Sequence, residues 1–381
     1  NYISDPGELL TNVFLKGYQW PFDSRKAMAG SSLIDLIVYN ETKVKGRRVF
    51  LDFTRNPLDN GFDMELLSKE AHDYLESAGA LFGTPVERLA HMNQPAIDFY
   101  LSRGVDLHSE KLEIALCSQH NNGGIYVDRW WQTDVPGLFA VGEAAASHGV
   151  YRPGGSALNA GQVGAERAAT FIASQPEKPV NIVSALAEVD AKIERIISLA
   201  GGALTQAGYE RPPVKQRLNE ARQAMSVNGA AVRDAAAIEK LISKVRAQLM
   251  NYSEQVGITG PQELPEFYRL RDTLLSQLCY LSAMSDYVHN GGLSRGSALY
   301  TDANGEKPLG ALPESCRHIV AEGAVCSDEN TAAIRAGKLV QEVSLDGLKC
   351  NCKWRAVRPI PDDDDFFENV WRGYRENGNV Y

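Results

Sequence analysis

Two glycine-centred stretches of this chain carry residue types suited to a nucleotide-like ligand. In Val135-Pro136-Gly137-Leu138-Phe139-Ala140-Val141-Gly142-Glu143 a turn leads into an apolar run that reads as a buried strand. Gly142 then lets backbone approach a ligand closely, and the Glu143 carboxylate is placed to accept hydrogen bonds from ribityl or ribose hydroxyls. A surface glutamate after a strand gives the same pattern, so the next stretch matters more. Arg152-Pro153-Gly154-Gly155-Ser156 runs into Ala157-Leu158-Asn159-Ala160-Gly161-Gln162-Val163-Gly164-Ala165, which predicts a helix of small residues against which another backbone packs tightly. Its amino terminus offers N–H groups ahead of the helical ladder and the positive end of a dipole, both favouring an anion. A reduced flavin, its charge shared between N1 and the C2 carbonyl, is such an anion; a plain Gly-rich loop before a buried helix is the structural alternative. A third stretch, His120-Asn121-Asn122-Gly123-Gly124, leads into the extended Ile125-Tyr126-Val127-Asp128.

The elements that must position these residues fall into four segments. Residues 1–118 mix helix and strand signals, among them Ser31-Ser32 before the apolar run 33–38, an extended Arg48-Val49-Phe50-Leu51-Asp52-Phe53 and a helix over 63–79 ending near Gly79. They read as a small α+β domain. Residues 119–178 read as part of an α/β nucleotide-binding domain. Over 179–292 helical periodicity dominates: Leu186, Val189, Ile193 and Ile197 share one face, as do Ile238, Leu241, Ile242, Val245 and Leu249, and Leu270, Leu274, Leu278 and Leu281. Gly201-Gly202 stops the first of these helices, Asp234 caps the second, and the segment predicts a helical bundle. Residues 293–381 read as a carboxy-terminal extension whose acidic run Asp362 to Asp365 is a solvated linker.

The bulk numbers narrow the class. With 381 residues, 44% hydrophobic and 23% charged, the chain has globular composition and length for two or three domains. A net charge of −9 argues against nucleic acid or an anionic membrane as partner, since either needs clustered Lys and Arg. The one basic run, Lys43-Val44-Lys45-Gly46-Arg47-Arg48, reads as a solvated face. Six cysteines show no paired metal-ligand spacing and read as reduced thiols, which suits the cytoplasm; no metal is expected. No apolar run approaches the roughly 18 residues that span a bilayer. The first residue is Asn, which suggests a processed or partial chain.

Residues 115–175 resemble the flavoprotein subunit of fumarate reductase and succinate dehydrogenase, and L-aspartate oxidase. In that family a His four residues ahead of a Gly-Ile or Gly-Val strand, a Pro-Gly-Leu-Phe-Ala-Val-Gly-Glu strand and a His-Gly-x-x-Arg-x-Gly-x-Ser-Leu-like loop recur in this order. Here they are His120 to Gly124-Ile125, Pro136 to Glu143, and His148 to Leu158. Ser24-Arg25-Lys26-Ala27-Met28-Ala29 is similar to the family's capping-domain Arg segment, Val49-Phe50-Leu51-Asp52 to its Leu-Asp strand, Tyr100 to Leu107 to the segment leading to the site histidine, and Ser294-Arg295-Gly296 to the Ser-Arg-Gly of its helical domain.

The resemblance implies an α/β fold: a partial, Rossmann-like FAD-binding domain with an inserted α+β capping domain and a carboxy-terminal helical bundle. It implies FAD as cofactor, faced by Gly123, Gly124, Gly142, Glu143, Gly155, Ser156, Ala157 and Leu158, and hydride transfer between flavin N5 and a small carboxylic acid such as fumarate or succinate. His120 and Arg152 then hold the substrate's carboxylates, His148 adds a donor, and Arg25 trades a proton with the substrate carbon. An electron-transfer partner or an upstream FAD-binding segment is implied too, because the chain has no Gly-x-Gly-x-x-Gly after a strand, the motif on which the family's FAD pyrophosphate sits. Three departures flank the proposed catalytic groups: Lys26 where the family has an acid, Asn121-Asn122 after His120, and Tyr151 with Pro153 around Arg152. They keep two alternatives open: a different substrate on the same flavin fold, in the manner of adenylylsulfate reductase, or a non-catalytic fragment without its own FAD.

Overall fold

The computed structural model describes residues 2–19, 21–57, 63–117, 122–149, 152, 155–176, 182–204, 211–326 and 328–357. The chain divides into two compact units: residues 1–118, 226–235 and 292–327 form the first, and 119–225, 236–291 and 328–381 the second. Residues 292–327, at the start of the expected carboxy-terminal extension, thus group with the amino-terminal segment.

The first unit is built from α1 (Pro6–Tyr18), α2 (Ser32–Tyr39), β1 (Val49–Leu51), α3 (Lys69–Ser77), α4 (Pro85–Ser102), β2 (Leu112–Ile114), β3 (Val232–Arg233) and β4 (Leu299–Tyr300). The apolar run 33–38 becomes helix α2, burying Leu33 and Leu36 one turn apart. These two pack with Phe22, Ala27, Val232, Leu299, Leu312 and Cys316, so the turn carrying Arg25 is anchored on both sides by core residues. The expected strand over 48–53 forms as β1, antiparallel to β2 with Phe50 opposite Glu113. The helix expected over 63–79 is shorter: a 3₁₀ turn at Met64–Leu66, then α3 capped by Ser68 and ending before Gly79 at φ +61°. The basic run pairs with acids: Lys45 and Arg47 with Glu41 at 2.7 and 3.1 Å, and Arg48 with Glu113 at 2.7 Å.

The second unit holds α5 (Ser156–Ser174), α6 (Ile182–Gly201), α7 (Val214–Asn228), α8 (Ala235–Met250), a short α9 (Tyr252–Gln255), α10 (Leu264–His289), α11 (Glu329–Arg335) and the hairpin β5 (Leu339–Asp346) and β6 (Lys349–Ala356). The periodic faces of α8 and α10 are buried at Ile238, Leu241, Ile242 and Val245, and at Leu270, Leu274, Leu278 and Leu281. The periodicity of α6 gives the helix and its end at Gly201, yet Leu186, Val189, Ile193 and Ile197 stay 46–63% exposed. An amphipathic pattern fixes a helix and a face, not the element that covers it. No helix of the described residues is long and apolar enough to cross a membrane.

The run Pro136–Val141 departs from the expected buried strand. Phe139 makes a single antiparallel bridge to Gln132, and of the apolar residues only Ala140 is buried, while Leu138 is 51% exposed. A strand of this composition becomes buried when sheet neighbours and helices cover both faces. Among the described residues no ladder extends this one.

Candidate functional site

The site in the second unit starts from a tight backbone crossing. Ile125 pairs in parallel with Ala145: its N–H donates to Ala144 O at 2.9 Å, and Ala146 N–H donates to Ile125 O at 3.2 Å. A Cβ at Gly124 would stand 2.5 Å from Ala144 O, so glycine is needed for this pairing. The crossing brings Asn122-Gly123 beside the segment that runs from Gly142 to Gly149. There Arg152 donates from Nη1 to Asn122 Oδ1 at 3.0 Å and to Gly149 O at 2.8 Å. Asn122 has φ +56°, a left-handed conformation that Asn tolerates better than most residues. His148 is buried, at 7% exposure.

Gly142 and Gly155, both expected to face the cofactor, sit in the left-handed region. Gly142 has φ +64° and opens the short turn Gly142–Ala144, which Ser147 steadies by donating from Oγ to Gly142 O at 3.1 Å. A Cβ on Gly142 would lie 3.6 Å from Gly161 Cα, so the turn packs directly on the backbone of α5. Gly155, in the left-handed region at φ +79°, sets α5 off at Ser156, with the first helical bond from Asn159 N–H to Gly155 O at 3.2 Å. Glu143 and Leu158 are exposed, Leu158 at 76%. Among the described residues nothing fills the space at Gly155, and this, with an apolar Leu158 at the helix start and the glycine-to-glycine crossing at Gly142, fits a flat ring system ending in an anionic edge. FAD is such a group. Further along α5, Trp131 at φ +67° fills the place of a side chain at buried Gly164, and Trp130 stacks on Phe171 with centroids 5.8 Å apart.

Arg25 belongs to the first unit. It lies in the 3₁₀ turn Ser24–Lys26, whose start is capped by Asp23 accepting from Arg25 N–H at 3.0 Å. The guanidinium grips the same carboxylate, with Nε 3.1 Å from each oxygen and Nη2 2.7 Å from Oδ2, and Nη1 reaches Glu322 Oε2 at 3.5 Å. Burial alone would raise the Asp23 carboxyl, but its hydrogen bonds to Arg25 and that residue's charge outweigh burial and hold it below its usual range. Lys26 turns away, donating to Gln19 Oε1 at 2.7 Å. The segment docks on Ser294-Arg295-Gly296, with Ser24 N–H donating to Gly296 O at 2.9 Å, so two stretches singled out separately in the sequence are neighbours.

Of the expected site residues, the structure brings Asn122, Gly123, Gly124, Gly142, Glu143, His148, Arg152, Gly155, Ser156, Ala157 and Leu158 into the second unit and Arg25 into the first. His120, Asn121, Tyr151, Pro153 and Gly154 lie outside the described residues. Two residues play parts that their sequence reading did not assign. Asn122 counted as a departure from the family, yet it holds Arg152. Asp23 supplies next to Arg25 the carboxylate that Lys26 does not, and its signal was an Asp two residues ahead of a turn, the spacing at which Asp caps backbone.

Residues 29–158 match the family profile described as FAD binding domain. The chain is 29% identical over 182 residues to a subunit of the CoM/CoB fumarate reductase of Methanothermobacter marburgensis, covering 47% of this chain and 30% of that protein. It is 32% identical over 142 residues to L-aspartate oxidase of Bacillus subtilis, covering 34% and 25%. The chain therefore spans less than a third of the length of these curated relatives. In fold it is similar to Mycobacterium smegmatis Sdh1 in complex with UQ1, at TM-score 0.53 and 16% identity over 93% of this chain and 53% of that one. It is also similar to E. coli quinol fumarate reductase FrdA, at TM-score 0.50 and 17% identity over 90% and 61%. The ordered motifs and the sequence matches converge: the chain is similar to FAD-dependent oxidoreductases of the fumarate reductase and L-aspartate oxidase type, and the match over 29–158 gives FAD as its cofactor.

Proposed function

We propose that the protein is a fumarate reductase-like oxidoreductase that exchanges a hydride with a small dicarboxylic acid. The observation that carries this reading is Arg152, whose guanidinium is aimed by Asn122 Oδ1 and Gly149 O beside the Ile125–Ala145 crossing. When bound, FAD supplies the hydride donor or acceptor at N5. Arg152 clamps one carboxylate of the acid, with His120 and His148 as further donors. Both clamps draw charge from the double bond, which makes one carbon accept hydride and its neighbour accept a proton. Arg25 delivers that proton, with Asp23 fixing its direction. The expected organisation is that of the family: residues 1–118 form a capping domain, 119–178 part of a Rossmann-like FAD-binding domain, 179–292 helices packed as a bundle and 293–381 a carboxy-terminal extension. An electron-transfer partner fits a relative that is one subunit of a larger fumarate reductase, and a cytoplasmic location fits six free thiols.

Fumarate reduction by reduced viologen, measured on the FAD-loaded protein, tests this reading. Activity on fumarate that Arg152→Ala removes supports it, whereas equal rates in the two proteins take Arg152 out of the mechanism. Lys26 and the Asn122 anchor, both departures from the family, motivate a second reading with a different acid or an adenylylsulfate-like substrate. A panel of acids and sulfur compounds separates the two, and turnover of fumarate alone ends the second.

A further inference from the structure

We propose that Cys279, Cys350 and Cys352 form a thiol–disulfide exchange site in which a low-molecular-weight disulfide joins Cys279 to Cys350, fastening the carboxy-terminal hairpin to α10. The inference uses none of the flavin-site residues and does not depend on the proposed activity.

The juxtaposition follows from matching periods. On β6, residues 350, 352 and 354 share one face, opposite Leu345, Val343 and Gln341 of β5. Two residues of strand advance about 6.8 Å, and four residues of helix about 6 Å, so successive positions on this face meet α10 residues four apart. Cys350 Sγ donates to Leu278 O at 3.7 Å, Cys352 Sγ to Ser282 O at 3.9 Å, and Trp354 Nε1 to Asp286 Oδ2 at 2.8 Å. Gln341 from β5 reaches the same Asp286 oxygen at 2.7 Å. Cys279 follows Leu278, whose carbonyl meets Cys350 Sγ, so the two cysteines are neighbours where β6 lies on α10. All three thiols are free and partly buried, sheltered by the helix yet reachable by a small disulfide. Cys352, held one turn further along at Ser282 O, stays a thiol.

Burial, then the neighbouring Cys350, pushes the Cys279 thiol up to about 11. Burial, then Asp286, does the same for Cys352. Exchange is therefore slow at neutral pH and quickens as pH rises. It runs in two balanced steps. One thiol of the pair loses its proton to solvent, and the thiolate attacks the small disulfide, forming a mixed disulfide and releasing one small thiolate. The second thiolate attacks the protein sulfur of that mixed disulfide, forming the Cys279–Cys350 bond and releasing the other. Two protein thiols are oxidised and one small disulfide is reduced to two thiols.

The test incubates the full chain with oxidised glutathione at mildly alkaline pH and maps disulfides by mass spectrometry without reduction. Exposed Cys117 takes up glutathione and so reports that the oxidant acts. The expected map shows a Cys279–Cys350 link in the wild type and in Cys352→Ser, none in Cys279→Ser, and amide exchange over residues 339–356 slowed at least about tenfold in the linked protein. A Cys350–Cys352 link overturns the proposal. So does a wild-type map in which Cys279 remains a thiol or carries glutathione while Cys117 is modified. Either is read on the wild type, so the decision stands even where Cys279→Ser does not fold.

Discussion

Arg25 in the first unit is gripped by carboxylates, both oxygens of Asp23 and one of Glu322, whereas Arg152 in the second is held by an amide oxygen and a backbone carbonyl. The amide and carbonyl oxygens at Arg152 aim its guanidinium without contributing a countercharge themselves. An arginine held by carboxylates is charge-balanced already, so what it has left to offer is direction and a proton. The contrast assigns the two residues different work in the proposed reaction, Arg152 binding and Arg25 proton delivery, and kinetics can separate them.

The largest expected effect is at Arg25. Arg25→Ala lowers kcat by about a hundredfold to ten-thousandfold, the range for a lost general acid, with KM little changed. Arg152→Ala lowers kcat/KM by about a thousandfold, from two charge-assisted hydrogen bonds worth about 2 kcal/mol each, with KM rising. Steady-state kinetics on fumarate reads both. If Arg25→Ala moves KM and Arg152→Ala moves kcat alone, the assignment is reversed.

A stability difference comes next, because charge pairing in the first unit does not always win. Asp35 of α2 meets Lys16 Nζ at 2.6 Å, yet burial outweighs that cation and pushes its carboxyl up to about 6. A carboxyl raised in the folded state favours folding when protonated. Its contribution is complete below the ordinary value of 3.8 and is lost as pH rises through about 6. The span corresponds to about 3 kcal/mol. Denaturant melts across that window should show this slope, and Asp35→Asn should flatten it; an unchanged slope in the variant places the titration elsewhere.

At the second arginine, Asn122→Ala removes one of the anchors. The expected loss is about fivefold in kcat/KM, carried by KM, since Gly149 O still orients the guanidinium and one hydrogen bond is worth about 1 kcal/mol. Asn122→Asp sharpens the comparison further, because it converts the neutral anchor into the charged kind that holds Arg25. Binding of a dicarboxylate should weaken more in Asn122→Asp than in Asn122→Ala, as measured by calorimetry. The reverse order means that a charge placed at position 122 does not compete with the ligand for Arg152.

Much of this was legible from residue types alone. Gly142, Gly155 and the small residues of α5 announced a close backbone crossing, and Gly142 does meet Gly161 there. The end of α6 at Gly201 followed from its glycines. Anchors were harder to read, because they are set by tertiary neighbours: Asn122 reaches Arg152 across thirty residues, and Ser24 meets Gly296 across far more. The run 136–141 was misread as a buried strand for a related reason. Apolar composition reports that a segment suits burial, and whether it is buried depends on its neighbours, which its own residues do not encode.

The smallest effect probes the charged holder. Asp23→Asn keeps the cap, since an amide oxygen still accepts from Arg25 N–H, but removes the charge from the fork around the guanidinium. Arg25 is 40% exposed on its side chain, so solvent screens the pair and the expected cost is about 1 kcal/mol at neutral pH. Because the Asp23 carboxyl is held below its usual value, its contribution is present above the ordinary 3.8 and fades as pH falls through the lower folded value. Wild type and Asp23→Asn should therefore differ at pH 7 and converge in acid, and added salt should narrow the gap at pH 7. A difference that persists in acid and ignores salt means that the fork works through shape, and the two arginines are then held in the same way after all.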